Sequence, residues 1–284
     1  MMITRTGVVS KVAVKTTKAG ASTSEKEDIR RELNLMKQFK PHPNVLELLS
    51  SCVVEDSIYI ILEYMAIGTL HQVLLRSRES CDPNTSEQET QSLSHSLSQN
   101  QLMLFAEQVA TGMNFITSKC VHRDLAARNV LVSEDLVCKV SDFGLAREEE
   151  EYHRQSDTNL PLRWMSIESL VKGIHTKESD VWSFGILLWE IVTLGARPYP
   201  DMGTRVISSE IQQGYRMPRP EHCVQQLYDI MSACWASNPH ERPTFAEIIR
   251  KIDGITDMKD NVLIDEIDED VYDNTGVIDD GEKV

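Results

Sequence analysis

Residues 121–130 read VHRDLAARNV, which gathers His122, Arg123, Asp124, Arg128 and Asn129 into one short segment, with Ser141-Asp142-Phe143-Gly144 close behind. A carboxylate such as Asp124 takes a proton, an amide such as Asn129 holds a hard cation, and a guanidinium grips an anion. Asp142 adds a second carboxylate. Two carboxylates and an amide around one point suit metal-assisted phosphoryl transfer, in which the protein positions groups and neutralises charge and does little covalent chemistry. His122 lies beside apolar Val121 and Leu125 and reads as a packing and hydrogen-bonding residue.

Such a centre needs a cation for the phosphates and elements to hold it. Val12-Ala13-Val14-Lys15 alternates as a strand does and ends on a lysine. A strand-end lysine alone is a solvated edge charge. Further on, Ser24-Glu25-Lys26-Glu27 has capping-box spacing and Ile29, Leu33 and Met36 follow at helical intervals, predicting a helix from about Glu25 to Phe39, closed by Pro41. Glu32 falls beside that apolar stripe, where an unpaired charge is costly. A Lys15–Glu32 pair satisfies both residues. Later, Ser98–Gln101 repeats the capping pattern ahead of the stripe Leu102, Phe105, Val109, Met113 and Ile116, a helix that delivers the chain to Asp124. The run 180–195, DVWSFGILLWEIVTLG, is apolar on most faces and belongs at the centre of a domain. Gly195 is placed to stop that helix. Strands are expected at 45–52, 58–62 and 137–140.

The net charge of −15 is uneven: residues 255–284 hold eleven acids against Lys259 and Lys283, a net of −9, which leaves −6 for the rest. No clustered lysines and arginines suggest a nucleic-acid surface. The six cysteines (52, 81, 120, 138, 223 and 234) include no CxxC pair, so they read as reduced thiols of a cytosolic domain and not as a zinc site. The longest apolar stretch, Ile186–Leu194, is broken by Glu190 and is too short to cross a bilayer. Residues 79–100 turn abruptly to Ser, Gln, Thr and Glu, a solvated insert that cannot bury enough apolar area to offset its ordering.

His-Arg-Asp, then Asn, then Asp-Phe-Gly is the protein-kinase signature, and the chain resembles the catalytic domain of receptor-type protein tyrosine kinases, fibroblast-growth-factor-receptor-like, over about Val12 to Ile252. The resemblance implies an α+β bilobal fold. Residues 1–65 would form a small β-rich N-lobe and hinge, 66–254 a larger helical C-lobe containing the insert, and 255–284 an acidic, disordered tail. It implies ATP and Mg²⁺ as cofactors: Asp124 as the proton acceptor, Arg128 assisting it, Asn129 and Asp142 on the metal, and Lys15 on the phosphates with Glu32 orienting it. Ala13 and Leu131 would enclose the adenine, the carbonyl of Glu63 and the N–H of Met65 would pair with its edge, and Leu62 would sit behind it. Phe143 would pack with Met36 and His122, while Gly144 would free the backbone to turn. Ala126, Arg128 and Pro161 take the tyrosine-kinase form and conflict with a serine/threonine kinase. The implied partners are protein tyrosine substrates, a second copy for trans-phosphorylation and no nucleic acid; the implied place is the cytoplasmic side of the plasma membrane, with no span in this sequence.

Two modification sites come with it. Tyr152 follows the acids 148–151 and is the expected activation-segment phosphosite, with Arg123 and nearby basic residues as anion partners. Tyr272, in the acidic tail with Asn274 two residues on, resembles a docking site for Src-homology-2 adaptors. The chain also departs from the family. No GxGxxG precedes VAVK, because Gly7 is too close to Lys15; this reads as truncation or as degeneration to a non-catalytic, kinase-like scaffold, and it predicts weak or no turnover for residues 1–284 alone. Ser166-Ile167-Glu168 replaces Ala-Pro-Glu, so a loosened turn is expected there, with Glu168 kept for Arg242.

Overall fold

The computed structural model describes residues 2–3, 9–18, 20–55, 57–81, 97–148, 152–153 and 160–256. Three antiparallel strands lie in the order β3-β5-β4: β3 (Val12–Thr16), β4 (Leu48–Val54) and β5 (Ser57–Glu63). A short pair, β1 (Met2–Ile3) with β2 (Val9–Ser10), precedes them. In β5 the alternation of apolar residues holds throughout, so Ile58, Ile60 and Leu62 all face inward.

Helix α1 (Thr23–Met36) covers that face with Ile29, Leu33, Leu35 and Met36. Its N-cap is Ser22, in a full capping box with Glu25, and not Ser24 with Glu27. Both serines stand three residues before a glutamate, so spacing alone does not choose between them. The chain turns just upstream at Gly20, whose φ of +80° favours glycine, and this brings Ser22 to the cap with an extended backbone. The helix also stops at Met36, three residues short of Phe39, so Phe39 is free to enter the site described below.

The larger lobe contains α2 (Leu70–Cys81), α3 (Gln99–Ile116), α4 (Ile167–Lys172), α5 (Lys177–Val192), α6 (Thr204–Gln212), α7 (Gln225–Cys234) and α8 (Phe245–Thr256). A small sheet, β6 (Gly68–Thr69), β7 (Val130–Val132) and β8 (Cys138–Val140), lies at the junction with the smaller lobe. The ends of the polar insert are thus helical: α2 takes 79–81, and Ser98 caps α3 by accepting from the Gln101 N–H. Residues 82–96 and the tail from 257 lie outside the described residues. A final strand pair joins β9 (Tyr152–His153) to β10 (Ile174–His175).

Helix α5 is the axis of this lobe. Every residue from Ser179 to Val192 is buried. It starts at Lys177, a turn earlier than Asp180, and ends where Leu194 and Gly195 take positive φ and the Gly195 N–H returns to the Glu190 carbonyl at 2.7 Å.

The lobes are stitched at residues 44–46. The sequence pattern suggested a strand from Val45, but β4 begins only at Leu48. Instead Leu46 N–H donates to the Val140 carbonyl and Val140 N–H to the Asn44 carbonyl, both at 2.9 Å, while the Asn44 amide reaches the Cys138 carbonyl at 3.1 Å. The stitch needs Gly112 on α3, since a Cβ there would lie 2.4 Å from the Asn44 carbonyl oxygen. Gly→Ala in a helix interior ordinarily gains about 1 kcal/mol. Here the clash with backbone wins, and Gly112→Ala is expected to destabilise the fold by about 1–3 kcal/mol in urea unfolding.

Candidate active site

Four elements converge on the cleft between the lobes. Strand β3 supplies Lys15, α1 supplies Glu32, the loop after α3 supplies Asp124, and the residue after β8 and Ser141 is Asp142. Lys15 Nζ lies 2.7 Å from Glu32 Oε1 and 2.9 Å from Asp142 Oδ1, so the expected pair forms and gains a third member. The group opens on a cavity of about 350 Å³ lined by Lys15, Glu32, Asp124, Asp142, Gly144 and Leu145. Burial works against the Lys15 charge, but the two carboxylates outweigh it and hold its pKa up. Burial pushes the Glu32 carboxyl up, with Lys15 opposing. For Asp142 burial again acts upward, yet Lys15 and the Gly144 N–H prevail and hold it below the usual carboxylate range.

The 121–130 loop hangs from α5. The buried Asp180 carboxylate accepts from His122 N–H at 2.7 Å and Arg123 N–H at 2.9 Å. Burial pushes its pKa up to about 6. Arg123 has φ of +71° and Asp142 φ of +58°, strained values at the two turns that aim the chemistry. The left-handed residue is therefore Asp142 itself. Gly144 serves instead by smallness, since a Cβ there would lie 3.3 Å from Asp142 Oδ1.

His122 is fully buried. It accepts from the Asp124 N–H at Nδ1, which leaves Nε2–H to donate to the Ser141 carbonyl at 3.1 Å, the packing role its surroundings suggested. Phe143 sits between His122 (ring centroids 5.3 Å apart) and Phe39 (5.0 Å). The sequence pointed to Met36, which is buried nearby; Phe39, freed by the early end of α1, supplies the second ring.

Asp124 accepts from Arg128, and burial pushes its carboxyl upward against the charge of Arg128. The Asn129 amide nitrogen donates to the Asp124 carbonyl at 2.7 Å, which leaves its oxygen as a donor for a hard cation. An amide oxygen and a carboxylate are donor types that a hard cation takes, so Asn129 and Asp142 would suit an oxygen-ligated metal. Ala13 and Leu131 are half-buried, from the smaller lobe's sheet and from β7, and Leu62 and Met65 are buried. The side chain of Tyr152 and all of Tyr272 lie outside the described residues; the backbone of Tyr152 pairs with His175.

Several contacts carry no signal in the sequence. Glu63 binds Lys139 at 2.7 and 2.8 Å and accepts from the Glu47 N–H at 2.7 Å, tying the segment between the lobes to β8. Glu190, read only as a break in an apolar run, accepts from Trp164 Nε1 at 2.8 Å and Ala127 N–H at 3.1 Å, and burial pushes its carboxyl up to about 7. Arg163 donates to the carbonyls of Pro198, Tyr199 and Met202. The Ser166 turn is not loosened: the fully buried Ser166 caps α4 by accepting from Ser169 N–H.

Residues 2–252 match the family described as protein tyrosine and serine/threonine kinase. The chain is a protein kinase domain. It is 45% identical over 249 residues to the tyrosine kinase receptor Cad96Ca of Drosophila melanogaster, covering 86% of the chain and 32% of that protein. It is 41% identical over 257 residues to fibroblast growth factor receptor 1 of Xenopus laevis and to that of Pleurodeles waltl, covering 89% of the chain and 32% and 31% of those receptors. The kinase domain therefore spans about a third of the length of these relatives. No helix among the described residues is long and apolar enough to cross a membrane.

Beneath the site, Glu168 binds Arg242 through both oxygens, at 2.6 and 2.8 Å, with the guanidinium also over the ring of Trp182. Burial acts upward on Glu168, but its bonds with Arg242 prevail and hold its pKa below the ordinary 4.5. Its stabilisation is thus complete above that value and is lost as pH falls through the folded one. Glu168→Gln should lower unfolding stability by about 3–5 kcal/mol at pH 7, because Arg242 loses its counter-charge. The gap to wild type should narrow in acid, as read by urea unfolding across pH.

Proposed function

We propose that this kinase domain transfers the γ-phosphoryl group of Mg·ATP to tyrosine hydroxyls of proteins, as the catalytic part of a receptor whose kinase domain lies on the cytoplasmic side of the plasma membrane. The observation that carries the reading is Lys15, held between Glu32 and Asp142 in the cleft that also contains Asp124, to which Arg128 donates. A purely structural domain has no chemical need for that set. The tyrosine preference rests on Ala126, Arg128 and Pro161 and on the receptors named above.

In this reading Asp124 orients the tyrosine hydroxyl and accepts its proton as the phenolic oxygen bonds to the γ-phosphorus and the bond from that phosphorus to the β,γ-bridging oxygen breaks, so that ADP leaves. Arg128, already on Asp124, faces the longer aromatic substrate. Lys15 meets the α- and β-phosphates and Glu32 fixes its direction. Asn129 and Asp142 would hold Mg²⁺, which when bound neutralises phosphate charge. Ala13 and Leu131 enclose the adenine, and Glu63 and Met65 offer their backbone to its edge. Residues 1–65 act as N-lobe and hinge, 66–256 as C-lobe, two residues past the boundary the sequence suggested because α8 runs to Thr256 with Ile255 buried, and 257–284 as a tail. Phosphorylation of Tyr152 by a second copy would raise activity, and phosphorylated Tyr272 would recruit Src-homology-2 adaptors.

The test is phosphoryl transfer by the full-length protein to matched tyrosine and serine peptides with Mg·ATP. Tyrosine turnover is expected, and Asp124→Asn should lower kcat by about 10²–10⁴-fold. Preference for the serine peptide would contradict the substrate class. Equal inactivity of both proteins, with no thermal shift on adding nucleotide, would leave a kinase-like scaffold.

A further inference from the structure

Trp164 is anchored on three sides. Its indole N–H donates to Glu190, its carbonyl accepts from Ser183 Oγ at 2.8 Å, and its ring lies under the Arg128 guanidinium at 4.2 Å. Arg128 in turn donates to Asp124. The same Glu190 oxygen that takes the indole N–H also takes the Ala127 N–H, one residue before Arg128. Glu190 is 2% exposed and comes from the middle of α5, so it has little freedom to follow either partner.

One carboxylate oxygen thus fixes both surfaces that define the stance of Arg128: the backbone from which its side chain departs and the ring on which it rests. Ser183 and Glu190 lie on one side of α5, about two turns apart, so both grip Trp164 from a rigid support. Without Glu190, two buried N–H groups lose their acceptor, the ring can swing, and Arg128 loses the platform that directs it to Asp124.

We propose that Glu190 is a positioning residue for phosphoryl transfer, acting through Trp164 and Ala127 to hold Arg128 against Asp124. This rests on the kinase reading given above. Glu190 touches neither substrate nor nucleotide in this role. It makes the tyrosine-facing part of the catalytic loop depend on where the segment carrying Trp164 lies.

The test measures kcat and KM for a tyrosine peptide and KM for ATP in the full-length protein, as wild type, Glu190→Ala, Glu190→Gln, Arg128→Lys and Glu190→Ala with Arg128→Lys. Rates are normalised to the nucleotide-binding fraction, so that loss of folded protein does not count as loss of turnover. Glu190→Ala should lower kcat for the peptide at least about tenfold with KM for ATP unchanged, and Glu190→Gln, whose carbonyl still accepts both N–H groups, should recover most of it. In the Arg128→Lys background Glu190→Ala should have little further effect, because both changes act on one contact. Three results would overturn the proposal: unchanged kcat in Glu190→Ala, multiplicative effects in the double variant, or a Glu190→Gln protein as impaired as the alanine one. Should Glu190→Ala not fold, Trp164→Phe, which keeps a ring but removes the indole N–H, must show the same loss of kcat and the same dependence on Arg128. A wild type that phosphorylates no tyrosine would refute the kinase reading itself, and this inference with it.

Discussion

Two backbone amides of the catalytic loop end on one buried carboxylate, and much of the site depends on that contact. Hydrogen bonds to a charged acceptor contribute about 1.5–3 kcal/mol each. Even so, burial raises Asp180 to about 6, so this carboxylate is less favourably placed than in water. Burial is thus unfavourable for the Asp180 charge, while its two hydrogen bonds supply geometry. It pins His122 and Arg123 at the point where Arg123 must take positive φ, and that bend sends Asp124 toward the cleft. Glu190 repeats the arrangement further along α5, with a carboxyl raised to about 7. A helix buried on all sides can carry two such costs because its apolar residues anchor it from every direction.

The second constraint acts across the cleft. The loop at 44–46 is bonded to β8 on the other lobe, and Glu63 reaches Lys139 on the same strand. Asp142 follows directly on from β8 and Ser141, so the strand that receives the smaller lobe also carries the carboxylate that meets Lys15. Contacts that hold the lobes together thus also set the distance between the phosphate-facing lysine and the metal-facing aspartate.

What the sequence disclosed follows from how local each signal is. The 121–130 loop and the Asp142 turn are contiguous, and Glu32 announced its partner because a charge on an apolar face needs one. Phe39 escaped because helical periodicity does not show where the last turn unwinds. The start of α1 was ambiguous between two serines with the same spacing to a glutamate. Glu190 was hidden for a deeper reason: a helix apolar on all faces has no polar side against which one acid stands out. Its donors, Trp164 and Ala127, lie 26 and 63 residues away. Glu63 and Lys139 are 76 residues apart, and Lys139 alternates with buried residues as any solvated strand lysine would.

The most direct test of this account is residue-resolved amide hydrogen exchange in Asp180→Asn. An asparagine offers one acceptor oxygen, and its NH₂ opposes the second backbone N–H. The amides of His122 and Arg123 should exchange at least about tenfold faster than in wild type, while the buried amide of Ile248 on α8 keeps its protection. Unchanged protection at both loop amides, or an equal loss at Ile248, would contradict the claim that Asp180 holds the His122–Arg123 turn of the catalytic loop to α5.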